Sequence, residues 1–343
     1  MSRPAPGALG VLLMAHGTPA SLSEIEAFYT RIRRGRPPSP EQLADLVRRY
    51  DAIGGTSPLA ERTAAQVAGI AAALDAVEPG AFLVRFGAKH TEPFIEDAAF
   101  ELAAAGVRRV VGLVLTPHRA SMGSDEYLDR AERALASTPR QPPLVRVPQW
   151  YDAPGFAELL AERVRATLGG LHPADHTIVL FSAHSLPRRV VTAGDPYPGQ
   201  VAASAAAVAA AAGLDAAGVS WRVAWQSAGR TPEPWIGPDL LQALREIGAK
   251  SKDAGIRSAV VVCPIGFVSD HLEVLYDVDV EAHGVAAAEG LELARTASFD
   301  ADPRFCAVVA GVVAGAVGGA VGDAVAGAVA TRIAGAAKPG GPG

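Results

Sequence analysis

LLMAHGTP at residues 12–19 returns as LFSAHSLP at residues 180–187. Each is an apolar run that ends in a histidine and then breaks into a turn, Gly-Thr-Pro in the first and Ser-Leu-Pro in the second. That is the pattern of a buried strand leaving a sheet at the edge where open α/β sheets bind ligands. Two further pairs occur in the same order. TEPFIEDA (91–98) is matched by PEPWIGPD (232–239), and VVGLVLTPH (110–118) by AVVVCPIGF (259–267). One such match is noise, whereas three in order indicate a duplicated unit.

Working outward, eight short apolar runs alternate with longer Ala- and Leu-rich stretches: 10–15, 82–86, 109–115, 143–147, 177–182, 221–225, 258–263 and 291–297. Each run is uniformly apolar, as expected of strands covered on both faces. Strand and helix in alternation give βαβ units and a parallel sheet. The fold class is therefore α/β, with two similar Rossmann-like (doubly wound, parallel-sheet) halves and a cleft between them. A chain of 343 residues is long for one core and ordinary for two. The expected division is an N-terminal half at 1–150, a C-terminal half at 151–317 and an Ala/Gly-rich tail at 318–343.

Composition narrows the function. The net charge of −5 gives no basic surface for nucleic acid. The cysteines are Cys263 and Cys306, without a CxxC pair. Two thiols make neither a disulfide framework nor a four-thiolate cluster site, so no iron–sulfur cluster and a reducing cytoplasm are expected. The N-terminal apolar stretch, residues 8–15, is short and runs into a turn instead of a cleavage site. Residues 306–322 carry no charge but are mostly Ala, Val and Gly, and Asp323 interrupts them. The expectation is a last helix packed on the core and a frayed tail, with no membrane span.

Three places can carry chemistry. His184 and its counterpart His16 stand at strand ends. Taken alone, each is first a hydrogen-bonded turn anchor and only then a ligand or base. The segment SDHLEVLYDVDVEAH (269–283) carries Asp270 and Glu273 in a capping pattern. As an α-helix it would align Glu273, Asp277 and Glu281 along one face. Such a row is either a solvated acidic face or, because unrelieved like charges repel, a path for a hard divalent cation. Finally TRIRRGRPP (30–38) and VRRY (47–50) cluster arginines, which suit either a solvated loop or bidentate pairing with a polycarboxylate. The paired glycines of IGGTSPLAE (53–61) suit a plain turn or a close backbone approach to a ligand.

FSAHSLP with GDPYP (194–198), WQSAGRTPEPWIGPD (225–239) and PIGFVSDHLEVLYD (264–277) together resemble the signature of the ferrochelatase family. MAHGTP, YTRIRRGRPP, RRYDAIGGTSPLAE and KHTEPFIEDA are similar to its Gram-positive, coproporphyrin-type members. The resemblance spans about residues 10–310. It implies insertion of ferrous iron into a porphyrin, coproporphyrin III, in haem biosynthesis. His184 and Glu273 would face the ring centre as catalytic and iron-handling groups, with Asp277 and Glu281 behind them. Arg33, Arg49, Tyr50, Ser57 and Tyr127 would contact the propionate side, and His16 the other face. Iron is then a substrate and no tightly bound cofactor is implied. The partners are the porphyrin and ferrous iron alone, for a monomer without nucleic acid.

Two alternatives remain beside this reading. One is a porphyrin or haem carrier without turnover, and the other a chelatase of another tetrapyrrole, of the cobalt/sirohydrochlorin type. One departure stands out: such relatives generally carry tyrosine where this chain has His16, and histidine also ligates haem iron.

Overall fold

The computed structural model describes residues 7–229, 231–318 and 327. The first half runs β1 (Leu9–Ala15), α1 (Ile25–Ile32), α2 (Pro40–Ala52), α3 (Leu59–Asp75), β2 (Phe82–Ala88), α4 (Ile95–Ala104), β3 (Val110–Val114), α5 (Ser124–Ala136) and β4 (Leu144–Val147). The second begins with α6 (Phe156–Gly169), β5 (His176–His184), α7 (Arg188–Thr192), α8 (Tyr197–Ala212), β6 (Ser220–Gln226), α9 (Leu240–Ala254) and β7 (Ser258–Cys263). It ends with a π-helix (Val274–Ala282), α10 (His283–Glu289), β8 (Glu292–Arg295) and α11 (Pro303–Val317).

All eight expected strands form, in two parallel four-stranded sheets ordered β2-β1-β3-β4 and β6-β5-β7-β8. The duplication extends to strand order, with the third pair shifted by one residue from its letters, which align Leu113 with Val262. Leu13 of β1 pairs with Phe86 and Leu113, and Phe181 of β5 pairs with Val223 and Cys263. Uniform apolarity has the expected cause. Val11 and Leu13 enter a core shared by the two halves, while Leu12 and Met14 point into a separate core under α4 and α5. The second sheet repeats this, with Val179 and Phe181 on the shared side and Ile178 and Leu180 under α9 and α10. A strand apolar on both faces loses alternation, because neither face meets water.

The second repeat pair is set differently by the structure than by its letters. The amide of Ala88 donates to Pro93 O (2.7 Å) and that of Trp225 to Pro238 O (2.9 Å). Adjoining bridges link Ala88 to Phe94 and Trp225 to Asp239. Phe94 is thus matched by Asp239 and not by Trp235, because the second half carries a longer loop before α9. Ser227 and Trp235 both belong to that loop.

Helix α11 packs on α3 of the first half, with Cys306 filling the space beside Gly69, where a Cβ would lie 2.6 Å from its Sγ. The last helix therefore is on the core, as expected. Among the described residues no helix is long and apolar enough to cross a membrane. The tail from residue 319 on lies, except for Gly327, outside the described residues.

Candidate active site

β1, β3, β5 and β7 point their carboxyl ends at one cleft of about 1250 Å³, larger than the roughly 300–1,000 Å³ of a drug-sized pocket. Both strand-end histidines line it. The turn after β1 needs Gly17, which sits at φ +85° with a Cβ position only 2.3 Å from Thr91 Oγ1. His16 Nδ1 meets Gly17 O at 3.1 Å, and His184 Nδ1 meets Ser185 O at 2.6 Å. A carbonyl only accepts, so both rings carry a proton on Nδ1, and in the neutral form Nε2 is the acceptor left to the cleft. The turn anchor and the cleft-lining group are one residue, in both halves.

What surrounds the two rings differs. His184 Nε2 lies 3.7 Å from Glu273 Oε1, and His271 Nε2 lies 3.6 Å from Glu273 Oε2. His271 Nδ1 is in turn held by Ser269 O at 3.0 Å. One carboxylate therefore stands between two oriented imidazoles. Burial disfavours its charge, yet His184, His271 and His16 outweigh that and hold its pKa at about 2. For His271, burial lowers the pKa but Glu273 overrides it, and the net shift is upward. His16 sits instead 4.7 Å from the His90 ring and 5.7 Å from Phe28. His16 is exposed within the cleft, and desolvation by the surrounding walls outweighs the Glu273 charge and lowers its pKa. His90 is driven down to about 3 by burial first, then by His16, Lys89 and two arginines.

The acidic segment is reached through Gly266, which lets the loop after β7 press on Ala183, 2.8 Å from where a Cβ would sit. The segment then winds as a π-helix, not the α-helix expected. An α-turn holds 3.6 residues and a π-turn more than four, so residues four apart still share a side and drift the other way around the axis. Glu273, Asp277 and Glu281 all line the cleft. Among the described residues no three His, Cys, Asp or Glu side chains gather as a preformed metal site. The row is therefore a succession of carboxylates, not one closed ligand set. Asp270 does not cap it, since its carboxylate accepts from Ser298 Oγ (2.6 Å) and Arg295 Nη1 (3.0 Å).

Nor is the row unrelieved. Arg49 Nη1 comes within 3.4 Å of Asp277 Oδ1, and the Ser227 hydroxyl donates to the other oxygen. Even so, burial first and the neighbouring Glu273 charge second raise the Asp277 pKa to about 6. Arg49 reaches it from α2, which starts sharply at Pro40 behind a Ser39/Gln42 capping box. Arg48 seals the same contact with a 2.6 Å bond to the Tyr276 hydroxyl.

Of the other expected contacts, Tyr50, Ser57 and Tyr127 are buried and line the cleft. Tyr50 Oη lies 3.4 Å from Thr18 Oγ1, and Tyr127 lies under Lys89 Nζ at 4.9 Å. The paired glycines adopt φ +100° and +102°, which makes their loop a turn that requires glycine. Arg33 is not in the wall: it folds back on its own helix end, its Nε bonding Arg36 O at 3.2 Å. Arg31 and Arg34 face the cleft in its place. A helix ending at Ile32 turns successive arginines to different sides, which spacing in the sequence does not reveal. His271, His90, Lys89, Glu126 and Trp235 also line the cleft and were not singled out from sequence. For His271 a signal existed, since it lies two residues before Glu273 in the same motif.

A family model described as Ferrochelatase matches residues 8–317. The chain belongs to the ferrochelatase family. It is 42% identical over 307 residues to the coproporphyrin III ferrochelatase of Geobacillus kaustophilus, covering 88% of this chain and 94% of that relative. With the coproporphyrin III ferrochelatase of Geobacillus thermodenitrificans it shares 40% over 307 residues, 89% and 94% of the two chains. The ferrochelatase of Herpetosiphon aurantiacus is 40% identical over 298 residues, 86% of this chain and 94% of the other. Among solved structures, SirB from Bacillus subtilis with Fe3+ shares the fold at TM-score 0.55 and 12% identity, covering 90% and 95% of the two chains. This ferrochelatase family member thus shares its overall fold with that structure.

Proposed function

We propose that this ferrochelatase family member inserts ferrous iron into coproporphyrin III in haem biosynthesis, releasing two protons per ring metallated. The observation that carries the reading is the His184–Glu273–His271 arrangement at the cleft wall. Each imidazole has its Nδ1 proton pinned to a carbonyl and its Nε2 turned toward the same ionised carboxylate. A neutral imidazole is a proton acceptor near working pH, and an adjacent carboxylate stabilises the imidazolium that forms. Two pyrrole N–H protons leave as one divalent ion enters; His184 is placed to take up a proton, and His271, whose protonated form Glu273 favours, holds that carboxylate in position.

Iron approaches along Glu281 and Asp277 to Glu273. Carboxylates suit a hard divalent cation, and Asp277, already engaged by Arg49 and the Ser227 hydroxyl, is a weak station that passes its cargo on. Tyr50, Ser57, Tyr127 and Arg49 line the wall reached by ring substituents. Relatives named for coproporphyrin III, and the arginines at the cleft, support the four-carboxylate substrate. His16, with its bare Nε2, is assigned to the opposite face of the ring, as an axial ligand after insertion. The buried free thiols Cys263 and Cys306 support work in the reducing cytoplasm.

Anaerobic incubation with ferrous iron and, separately, coproporphyrin III, protoporphyrin IX and a sirohydrochlorin tests the reading through the Soret band. Catalytic loss of the free-base spectrum with coproporphyrin III is expected. Porphyrin binding without metallation would show a carrier, and metallation of the sirohydrochlorin alone a different chelatase.

A further inference from the structure

The first-half wall of the cleft holds a carboxylate that neither the proton nor the iron path uses. Glu126, near the start of α5, pairs through Oε2 with Lys89 Nζ and through Oε1 with Arg34 Nη2 at 3.1 Å. All three side chains line the cleft. The neighbouring Arg130 is spoken for separately, by a two-pronged contact with Glu96 at 2.8 and 2.7 Å. Lys89 is only 14% exposed and lies against the Tyr127 ring. A cation so placed is costly without an anionic partner. Arg34 reaches Glu126 from a left-handed backbone at φ +56°, a conformation that residues other than glycine seldom adopt.

We propose that Glu126 determines substrate specificity as a stand-in for a substrate carboxylate, holding the enclosed Lys89 until a side-chain carboxylate of the porphyrin takes its place, while Arg34, 75% exposed, is a solvent-screened partner that adds little. The assignment rests on the reading that the substrate is a carboxylate-bearing porphyrin. A ring edge without a carboxylate cannot displace Glu126 and gains nothing at this wall. One with a carboxylate exchanges one ion pair for another, and its affinity is set by that competition. Glu126 acts through Lys89, so its effect must vanish when Lys89 loses its charge.

The test is an equilibrium titration of coproporphyrin III, without iron, on wild type, E126Q, K89Q and E126Q/K89Q, followed by porphyrin fluorescence. E126Q is expected to tighten binding about threefold, the scale of a partly exposed ion pair, and K89Q to weaken it. The double variant should bind like K89Q alone. Weaker binding by E126Q, or the same E126Q effect with and without Lys89, overturns the assignment and leaves Glu126 a structural ion-pair partner. Because iron is absent, these affinities are independent of turnover. A wild type that binds the porphyrin but fails to metallate it in the Soret experiment contradicts the chelatase reading only, and one that does not bind it contradicts both.

Discussion

The two halves of the molecule place a histidine at the same strand end, with the same Nδ1-to-carbonyl bond, and then treat it oppositely. In the first half the His16 ring lies tilted 54° beside His90, and desolvation by the cleft walls lowers the pKa of both rings. In the second half the element after β7 brings Glu273 between His184 and His271, and the His271 pKa rises. A duplicated scaffold supplies two equivalent ring positions across one cleft. The segment next along the chain after β3 or β7 decides which of them faces a carboxylate. After β3 that segment is α5, with Tyr127 and the Lys89-bound Glu126. After β7 it is the π-helix and its carboxylates. Fold symmetry places the groups, whereas neighbouring charge assigns their chemistry.

The most severe way to break the comparison is to remove the charge that creates it. Glu273→Gln should lower metal insertion on the order of 10²-fold, since positioned acid–base groups contribute roughly that much or more. It should also drop the His271 pKa below its ordinary value, which NMR titration of the ring reads directly. An unchanged His271 titration would show that Glu273 is not the source of the asymmetry.

A second effect tests the junction of the halves. His118, after β3, bonds Ser204 of α8 through Nε2 at 2.9 Å and is 1% exposed. Burial depresses its pKa to about 3. The unfolded chain takes up a proton near pH 6.5 that the native state refuses until about pH 3. Stability from this group is therefore complete above 6.5 and is lost as pH falls, by about 1.4 kcal/mol per pH unit. His118→Gln should flatten the fall of melting temperature between pH 6.5 and 4. An equally steep fall in the variant would place the acid sensitivity elsewhere.

The smallest expected effect sharpens the iron path. Glu281→Ala should raise the KM for ferrous iron several-fold while leaving that for porphyrin nearly unchanged, as measured by initial rates with each substrate varied. Equal changes, or none, would return Glu281 to the role of a solvated charge.

Much of this was legible in the sequence, for identifiable reasons. The strands declared themselves because β1, β3, β5 and β7 are covered on both faces and so are continuously apolar. The paired AHGTP and AHSLP turns placed His16 and His184 on one cleft. Four features were not legible. The π-winding of 274–282 leaves no mark in the residue spacing, and the segment docks against α2 through Arg48, Arg49 and Tyr276, contacts between residues distant in sequence. The charge relief of Asp277 by Arg49 is likewise a tertiary contact. The longer loop before α9, which brings Ser227 and Trp235 to the cleft, was hidden by the chance likeness of TEPF and PEPW. Arg33 was separated from Arg31 and Arg34 only by where α1 ends.

The central claim is that equivalent histidines perform unequal work, and it is tested most directly by His184→Ala and His16→Ala measured side by side. Anaerobic ferrous iron and coproporphyrin III are supplied to each, with porphyrin affinity determined separately. His184→Ala is expected to lose at least about 10²-fold in kcat and still bind porphyrin. His16→Ala is expected to keep more than about a tenth of wild-type turnover, because its ring acts on the metal only after insertion. Equal losses in the two variants, or the greater loss in His16→Ala, would contradict the claim.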